Sequence, residues 1–583
     1  MKEESLMQSL KYWAGSLFTV AALAACSEQP APTAVTPDPA VTAAPAAAPE
    51  SAADWVFTNG KILTVDEDFS IVPAMAIADG RIMATGTNEE IAALAGEGTR
   101  RTDLAGQTVV PGLIDNHMHF IRASQTWYRQ VRWDGVTSRA EALEMLKQRA
   151  SELPEGEWVM VFGGWIPAQF QDNSDIFTLA ELDAVLPDTP VYIQEAYARV
   201  FVNSAALEAA GITNDTEHQG PGGITKDDGG NLTGEFVGGR AMGLVSSAIP
   251  PVADDVWDNS LQATIQSMHK MGLTTVYDVG GNGVTPEFYD AVGRVAQNNN
   301  LSLRVFYSLN GQNSNDDSVA EIVAEIQSRT PDNEDLRFAQ FGYGEQIYAP
   351  MRAGPARPGS PPWELSQEDL DHYRDIVIAA IENGWQLHEH SHMEPKIQAV
   401  LSVYEGLSDT YPIGDLRMTI AHANNISLES IERARNLGML FALHSTMRNT
   451  GPEAAERLGE AGKTVPPIRT VHELGAIWGL GSDATTVASP NPFHALGWSV
   501  SGRSAAGEKT LHDTVPREAA LTAHTRSNAY MLFREGDLGS LEPGKLADFA
   551  VLDRDYLTVP EEEIETLYSV MTVVEGEEVY SGP

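Results

Sequence analysis

The sequence predicts an α/β protein built around a parallel barrel, with a small β-unit to which both ends of the chain contribute. Short apolar strands alternate with helical patterns over several hundred residues, which is typical of parallel α/β structure. Short β-type runs joined by hairpin turns come before this region, and strand-turn-strand patterning returns after it. At 583 residues, the chain is long enough for a large domain and a smaller one.

The β-unit is predicted to begin at Asp54. Asn59-Gly60 and Asp79-Gly80 indicate its turns, because these dipeptides favour tight hairpins. The four short runs around them are Trp55–Phe57, Lys61–Val65, Ala74–Ile77 and Arg81–Ala84. The segments Ala547–Leu552 and Thr572–Tyr580 show the same patterning, so we expect them to complete the unit.

The barrel is predicted from short apolar runs that lie between the two parts of the β-unit. Helical patterns separate some of these runs, as at Ser138–Ser151, Gln367–Asn383 and Leu428–Leu437. The predicted strands are Val109–Ile114, Trp158–Phe162, Val191–Gln194, Thr274–Val279, Leu303–Ser308, Arg337–Gly342, Gln386–His390, Met418–His422 and Ala476–Gly481.

The charge of the chain limits the class of partner. Its formal net charge is -43 and its pI is near 4.5, which argues against electrostatic binding of nucleic acid or of an anionic membrane surface. Hydrophobic residues make up 43% of the chain and charged residues 20%, as in ordinary soluble globular proteins. The sequence carries no signal for an oligomeric state.

The first residues resemble a bacterial lipoprotein signal peptide. The run from Tyr12 to Ala25 is apolar, follows Lys11 and is short for a membrane span. It ends in Leu23-Ala24-Ala25-Cys26, which resembles a lipobox, and Cys26 is the single cysteine. We expect residues 1–26 to be this signal and residues 27–53, rich in Ala and Pro, to be a flexible tether.

The signal predicts an exported protein. Lipid on Cys26 would anchor it to the cell envelope, facing the periplasm, and would be its single contact with a membrane. The alternative is an ordinary signal peptide with an incidental cysteine, which would leave the protein free in the periplasm.

The segment Pro111–His119 carries the strongest chemical signal. An apolar strand ends here in His117-Met118-His119, and the two-residue period of a strand points both imidazoles to one side. Two imidazoles at a strand end can bind one cation. The pair His-x-His alone is weak evidence for a metal site, because hydrogen-bonded structural histidines are common. The whole run from Pro111 to His119 is a far more specific motif.

With this motif the sequence resembles the amidohydrolase superfamily, and in particular its amidohydrolase-3 (YtcJ-like) branch. The resemblance extends from about Trp55 to Tyr580. Further segments that look like family signatures are Gly163–Trp165, Thr178–Asp183, Phe201–Leu207, Gly272–Val276, Gly384–Gln386 and Leu538–Asp548.

The resemblance implies a distorted TIM (β/α)8 barrel with a β-sandwich made from both chain ends. On this basis residues 54–110 and 536–583 form the sandwich, and residues 111–535 form the metal-dependent hydrolase barrel. The family's activity implies a small-molecule substrate and a divalent metal, with zinc expected as one or two ions.

Matched to the family's motifs, five residues are expected to bind the metal: His117, His119, His390, His422 and Asp483. Asp483 would also take the proton from the attacking water, and His422 is a second catalytic candidate. His388 and His392 alternate with His390 along one strand and are expected to line the barrel interior or substrate pocket. Trp165, in a family signature, is a further pocket candidate.

The remaining histidines carry weaker signals. His444 follows an apolar run, and a pocket role and a structural role are both open. Surface roles on helices or loops are expected for His218, His269, His372, His472, His494, His512 and His524.

The sequence departs from the family at two positions. The family commonly bridges two metals with a carboxylated Lys on the fourth barrel strand, and the aligned position here holds Gln340, whose amide is a poor bridge. Glu345 lies a few residues on and could substitute. Gln340 therefore favours a mononuclear site, with Glu345 as the alternative for two metals. The second departure is Ala198, where the family often has His.

Three functions remain open from the sequence. The leading one is hydrolysis of an amide-like, non-peptide C–N bond of a small molecule, in which metal-activated water attacks. A heterocycle deaminase with a mononuclear site is the alternative within enzymes, and a surface-tethered binding protein without turnover is the alternative outside them. The loop from Ala349 to Trp363, rich in Pro and Gly, is expected to face the substrate.

Overall fold

The computed structural model describes residues 52–582 apart from positions 221, 282, 299, 311–317 and 352–364. The predicted signal peptide with Cys26, nearly all of the tether and most of the loop from Ala349 to Trp363 lie outside the described residues. Within the described residues, no helix has the length and apolar character needed to cross a membrane.

Eight parallel strands form the barrel, as the sequence predicts. They pair in chain order from the first to the eighth. The barrel closes between the eighth and the first, where the His119 amide donates to the Ala484 carbonyl and the Asp483 amide to the His117 carbonyl, both at 2.8 Å. Barrel strands 1 to 8 are Leu113–Met118, Leu273–Asp278, Arg304–Leu309, Phe338–Glu345, Gln386–Met393, Thr419–Asn425, Leu440–His444 and Trp478–Gly481.

Helices cover the barrel and bury its outer face. Leu261, Ile376 and Leu401 on three of them are fully buried against strand residues such as Val276 and Leu387, and this contact forms the main hydrophobic core. The α-helices are Asn88–Ala92, Phe120–Thr126, Arg139–Glu152, Leu179–Val185, Ser204–Ala209, Gly239–Ser246, Asp254–Lys270, Asp290–Gln297, Val319–Ser328, Gln367–Glu382, Glu394–Leu407, Leu428–Leu437, Met447–Leu458, Ile468–Glu473, Pro492–Ser501, Arg517–Ala523 and Arg526–Met531.

Both ends of the described chain contribute to the β-unit. The C-terminal strand Phe549–Leu552 pairs antiparallel with Thr108–Pro111, the strand that leads into the barrel. One sheet, of four strands, contains Arg81–Gly86, Ala74–Ala78, Ala53–Thr58 and Ala95–Asp103. The other, of six, contains Glu577–Ser581, Ser569–Val574, Phe549–Leu552, Thr108–Pro111, Lys61–Leu63 and Ile71–Val72.

A separate five-stranded sheet is inserted between barrel strands 1 and 2, and it corrects one prediction. Val159–Phe162 and Val191–Glu195, which correspond to two predicted barrel strands, pair with each other in this sheet. Short apolar runs look alike in a barrel and in an inserted sheet, because strand pairing is decided by distant partners. The sheet order is Gly223–Lys226, Leu232–Val237, Arg199–Val202, Val191–Glu195 and Val159–Phe162.

Two glycines seat the inserted sheet against the barrel. Gly163 has φ +79°, and a Cβ there would lie 1.8 Å from the Thr486 carbonyl oxygen. The Gly164 amide donates to the same carbonyl at 3.1 Å. Since Thr486 follows barrel strand 8 closely, the inserted sheet lies beside the carboxyl ends of the strands.

Candidate active site

Nine titratable side chains converge at the carboxyl ends of the barrel strands, the edge that holds the active site in this fold. Strands 1, 4, 5, 6 and 7 contribute at their ends, and the turn after strand 8 supplies the last carboxylate. The nine are His117, His119, Glu345, His388, His390, His392, His422, His444 and Asp483, and all except His390 are buried.

The first group of ligand atoms, termed subsite 1, contains His117, His119, Glu345 and Asp483. His119 Nε2 lies 3.1 Å from Asp483 Oδ1 and 3.7 Å from Glu345 Oε1. His117 Nε2 lies 3.3 Å from Glu345 Oε2 and 3.7 Å from Asp483 Oδ1. Two imidazole nitrogens and two carboxylates therefore surround one point.

The second group, termed subsite 2, contains Glu345, His390 and His422. His390 Nδ1 lies 2.5 Å from Glu345 Oε2, and His422 Nε2 lies 3.4 Å from the same oxygen. The two ring nitrogens are 2.9 Å apart. Glu345 therefore belongs to both subsites, with one carboxylate between two sets of histidines.

The position of Glu345 corrects the interpretation of Gln340. Gln340 lies near the start of strand 4, and its backbone pairs with Asp332 outside the barrel. The next residue, Phe341, stacks on Tyr277 inside the barrel, so strand alternation points Gln340 outward, away from the pocket. Gln340 is not part of the site, and Glu345 is the residue that strand 4 supplies.

The backbone of strand 4 explains how Glu345 reaches the site. Gly344 has φ +131°, and a Cβ there would lie 2.3 Å from the His388 carbonyl oxygen. A glycine is therefore required for strands 4 and 5 to approach each other directly before Glu345. The short run Gly342-Tyr343-Gly344-Glu345 was the signal in the sequence that could have identified this residue.

Hydrogen bonds on the far side of the rings orient the histidines of subsite 1. His119 Nδ1 contacts the Gly280 carbonyl at 2.8 Å, so this nitrogen carries the proton and Nε2 presents its lone pair. His117 Nδ1 contacts His388 Nε2 at 2.9 Å. The buried Asp115 carboxylate accepts the His117 backbone N–H at 3.0 Å and holds the end of strand 1.

Two further histidines, His392 and His444, support His422. His444 Nδ1 contacts His422 Nδ1 at 2.9 Å, so one of these two nitrogens donates to the other. The His392 ring stacks on His422 with 4.0 Å between centroids. His388, His392 and His444 thus lie directly behind the predicted ligands, and the sequence had left the role of His444 open.

The backbone at two predicted ligands is held in the left-handed region. His422 has φ +69° and Asp483 has φ +59°, conformations that cost a non-glycine residue about 1–3 kcal/mol each. Such strain is typical of functional sites, where the surrounding fold maintains it.

Burial favours the neutral form of four of these histidines. It lowers the pKa of His388, His392 and His444 well below the usual value, and it lowers the pKa of His422 to about 4. A neutral imidazole is the form that binds a metal, because one of its nitrogens keeps a lone pair.

The carboxylates, in contrast, are ionised. Burial opposes ionisation of Glu345, but His390, His117 and His422 around it hold its pKa well below the usual range. Burial also opposes ionisation of Asp483, but the surrounding His119, His117 and His422 together outweigh it, so the pKa of Asp483 is lowered.

The donor set fits a divalent metal. Three overlapping groups of ligand atoms each lie within 4.8 Å of one another, and together they include every predicted ligand. Within the described residues, His117 Nε2, His392 Nδ1 and His444 Nε2 are buried without a hydrogen-bond partner. Buried lone pairs without partners beside ionised carboxylates are what a transition-metal dication requires.

Two predictions for aromatic and peripheral residues were wrong. Trp165 does not line the pocket, because it is 1% exposed, donates to the Gln194 carbonyl and packs against Trp133 in the core of the inserted region. Surface roles also fail for three histidines that are buried, namely His269, His494 and His524.

A small cavity of about 80 Å³ opens beside the predicted ligands. Arg122 and Tyr197 line it together with Gln346 and four of the ligand residues. The sequence interpretation had not identified Arg122 or Tyr197. Arg122 lies three residues after His119, while Tyr197, from the inserted sheet, is 45% exposed and adjoins the divergent Ala198.

Comparisons with known proteins agree with this architecture. The profile of the "Amidohydrolase family" matches residues 101–580. LONG AFTER FAR-RED 3 from Arabidopsis thaliana is 28% identical over 532 residues, which cover 86% of this chain and 87% of that protein. An N-substituted formamide deformylase from Arthrobacter pascens is 25% identical over 548 residues, covering 90% and 97%.

Solved structures share the fold. An uncharacterized metal-dependent hydrolase from Pyrococcus horikoshii superimposes with a TM-score of 0.61 at 20% identity, covering 87% of this chain and 99% of that one. Because the family profile spans most of the sequence, this chain belongs to the amidohydrolase family, and it is a hydrolase of carbon–nitrogen bonds other than peptide bonds.

Proposed function

We propose that this enzyme hydrolyses an amide-type C–N bond of a small molecule, and that the histidines and carboxylates of subsites 1 and 2 would hold two zinc ions for this reaction. The observation that carries the proposal is the position of the Glu345 carboxylate. Its oxygens lie within 3.7 Å of ring nitrogens of His117, His119, His390 and His422.

His117, His119 and Asp483 would hold one ion, and His390 and His422 the other, with Glu345 shared. Imidazole and carboxylate donors of this kind suit zinc. When bound, the ions would supply the Lewis acidity that activates water and polarises the scissile carbonyl. The mononuclear site expected from Gln340 is less favoured, because Glu345 would supply, next to both groups of histidines, the negative charge that Gln340 lacks.

Asp483 would act as the general base and then as the general acid. Its carboxylate is ionised and lies on the cavity, so it can accept the proton of the attacking water. It would return that proton to the nitrogen of the leaving amine when the C–N bond breaks. The products are a carboxylic acid and a free amine.

His444 and His388 would serve as positioning residues. The contact of His444 Nδ1 with His422 Nδ1 leaves His422 Nε2 directed at Glu345. The contact of His388 Nε2 with His117 Nδ1 leaves His117 Nε2 directed at both carboxylates. Each would keep a ligand ring in its orientation and tautomer.

The amide class of substrate is also supported by a relative. The deformylase from Arthrobacter pascens, by its name, acts on N-substituted formamides, and it matches this chain over 90% of its length. A small cavity suits a small acyl group of this kind.

Metal analysis and product analysis test this function together. We expect the purified enzyme to contain two equivalents of zinc per chain and to release formate and a free amine from N-substituted formamides. One equivalent of metal with ammonia release from purines or pyrimidines would instead establish a deaminase, and tight metal binding without turnover of any amide would contradict an enzymatic role.

We further propose that the protein is exported and anchored to the cell envelope by lipid on Cys26. The support is the Leu23-Ala24-Ala25-Cys26 sequence after an apolar run. Mass spectrometry of the mature N-terminus tests it, with a diacylated Cys26 expected. A Cys26→Ser variant should be released to the soluble fraction, and a variant that stays with the membrane would contradict the anchor.

A further inference from the structure

The mouth of the active-site cavity carries a cation whose role the hydrolytic chemistry does not explain. Arg122 lines the cavity beside His119, and it is the one Lys or Arg among the residues that line it. The chain as a whole has 81 acidic and 38 basic residues, so a guanidinium beside the predicted metal ligands is unusual for this acidic protein. Subsites 1 and 2 contain no cationic side chain of this type.

The guanidinium is close to the ligands without being one of them. A Cβ placed on Gly281 would lie 2.9 Å from His119 Nδ1 and 3.5 Å from Arg122 Nη1, so the guanidinium lies beside the His119 ring. Burial and the charge of Arg122 both oppose protonation of His119, but its contacts with Asp483 and Glu345 raise its pKa overall.

Arg122 is oriented but not neutralised. Its Nη2 donates to the Tyr197 hydroxyl at 2.9 Å, and that is its one protein hydrogen bond among the described residues. Within the same residues no carboxylate lies within 4.0 Å of it, whereas neighbouring Arg132 and Arg129 pair with Asp134 and Glu157. The other N–H groups of its fork remain available.

Tyr197 comes from a different part of the fold. It lies in the turn between two strands of the inserted sheet, Val191–Glu195 and Arg199–Val202. The inserted sheet therefore reaches the cavity with one hydroxyl, and that hydroxyl holds the guanidinium of the barrel. An ordered arginine fork with free donors matches a carboxylate in shape and charge.

We propose that Arg122, positioned by Tyr197, binds a carboxylate of the substrate, so that the enzyme acts on N-acylated amino acids or similar acids. This inference rests on the proposed amide hydrolysis. The substrate's anionic end would pair with Arg122 at the cavity mouth, and its acyl group would lie between the two subsites. A small cavity that ends in one guanidinium favours a compact acid over a neutral amide.

A pair of ligands of equal shape tests the proposal. N-formylglycine and N-formylglycinamide differ in the charge of one group. Their affinities can be measured by calorimetry on the zinc-loaded Asp483→Asn protein, whose turnover should be lowered by about 10²- to 10⁴-fold. We expect the acid to bind about 10- to 100-fold more tightly, the range for hydrogen bonds to a charged group.

Variants assign the preference to the proposed residues. Arg122→Met should abolish the preference for the acid, and Arg122→Lys should keep part of it because the charge remains while the fork is lost. Tyr197→Phe should reduce the preference to an intermediate ratio. The matched control is Arg374→Met, on the exposed face of the helix Gln367–Glu382, which should keep the full preference.

The outcomes separate this inference from the proposed function. If the acid binds no more tightly than the amide, including the case in which neither binds, or if Arg122→Met keeps the preference, the inference is refuted. Turnover is followed separately as formate release by the wild-type enzyme. Hydrolysis of formamides without any acid preference would refute this inference and leave the proposed function standing. An acid preference without hydrolysis would refute the proposed function and leave only the carboxylate site at Arg122.

Discussion

Replacing Glu345 by Gln tests the central feature of the site. The change keeps the size of the side chain and removes its charge. Carboxylate oxygens of Glu345 lie 2.5 to 3.7 Å from four ring nitrogens, and the group is 5% exposed. Two unit charges about 4 Å apart attract each other by about 4 kcal/mol at an effective dielectric constant of about 20, and this is the energy that we assign to the loss of the Glu345 charge.

That energy corresponds to about a thousandfold in an equilibrium constant. We therefore expect Glu345→Gln to bind its most weakly held zinc about a thousandfold less tightly and to lose a comparable factor in kcat/KM. Competition with a chromophoric chelator measures the affinity, and elemental analysis after desalting measures the metal content. The matched control is Gln340→Ala, on the same strand but outside the site, which should retain both metals.

The opposite result would refute the reasoning. If Glu345→Gln retained two zinc equivalents with wild-type affinity while Gln340→Ala lost one, then Glu345 would not be the shared ligand. If both variants lost metal equally, the effect would come from strand 4 as a whole and not from the carboxylate.

Three further predictions follow from the same structure. Asp483→Asn should lower kcat by about 10²- to 10⁴-fold, the range for loss of a general base, and unchanged turnover in steady-state assays would contradict its role. Burial lowers the pKa of His269 to about 4, below the usual value of about 6.5. As the pH falls from about 6.5 to about 4, the unfolded chain therefore binds a proton on this ring before the folded chain does, and the free energy of unfolding decreases. Denaturant unfolding should show about 2 kcal/mol of this loss between pH 7 and pH 5, and His269→Gln should lack it; an identical pH dependence in the variant would contradict the assignment. Gly163→Ala should destabilise the protein by more than about 2 kcal/mol, because its Cβ would clash with the Thr486 carbonyl. The control Gly156→Ala, also at positive φ but in open space, should cost about 1 kcal/mol in thermal unfolding. Equal losses in the two variants would mean that the contact with Thr486 has no effect.

Much of the architecture could be predicted because it depends on local sequence periodicity. The apolar strands with helical patterns between them predicted a parallel barrel, and the two-residue alternation at His117 and His119 predicted two imidazoles on one side. The same alternation grouped His388, His390 and His392 correctly on strand 5. Each of these patterns depends on neighbours within a few residues.

Tertiary structure decided which strand belongs to which sheet. Val159–Phe162 and Val191–Glu195 have the apolar character of barrel strands, yet they pair in the inserted sheet. A strand can pair with a segment far away along the chain, and the strand's own residues do not determine which segment that is.

The sequence by itself therefore determined the family of chemistry, through His117, His119 and the residues at the other strand ends. Only the tertiary structure decided that Glu345, and not Gln340, joins them, because an irregular register within strand 4 shifts which residue reaches its end. It also brought Tyr197 of the inserted sheet to Arg122 of the barrel. The physical reason is the same in both cases: periodicity along the chain sets the direction of a side chain, but contacts between distant segments set its place in space.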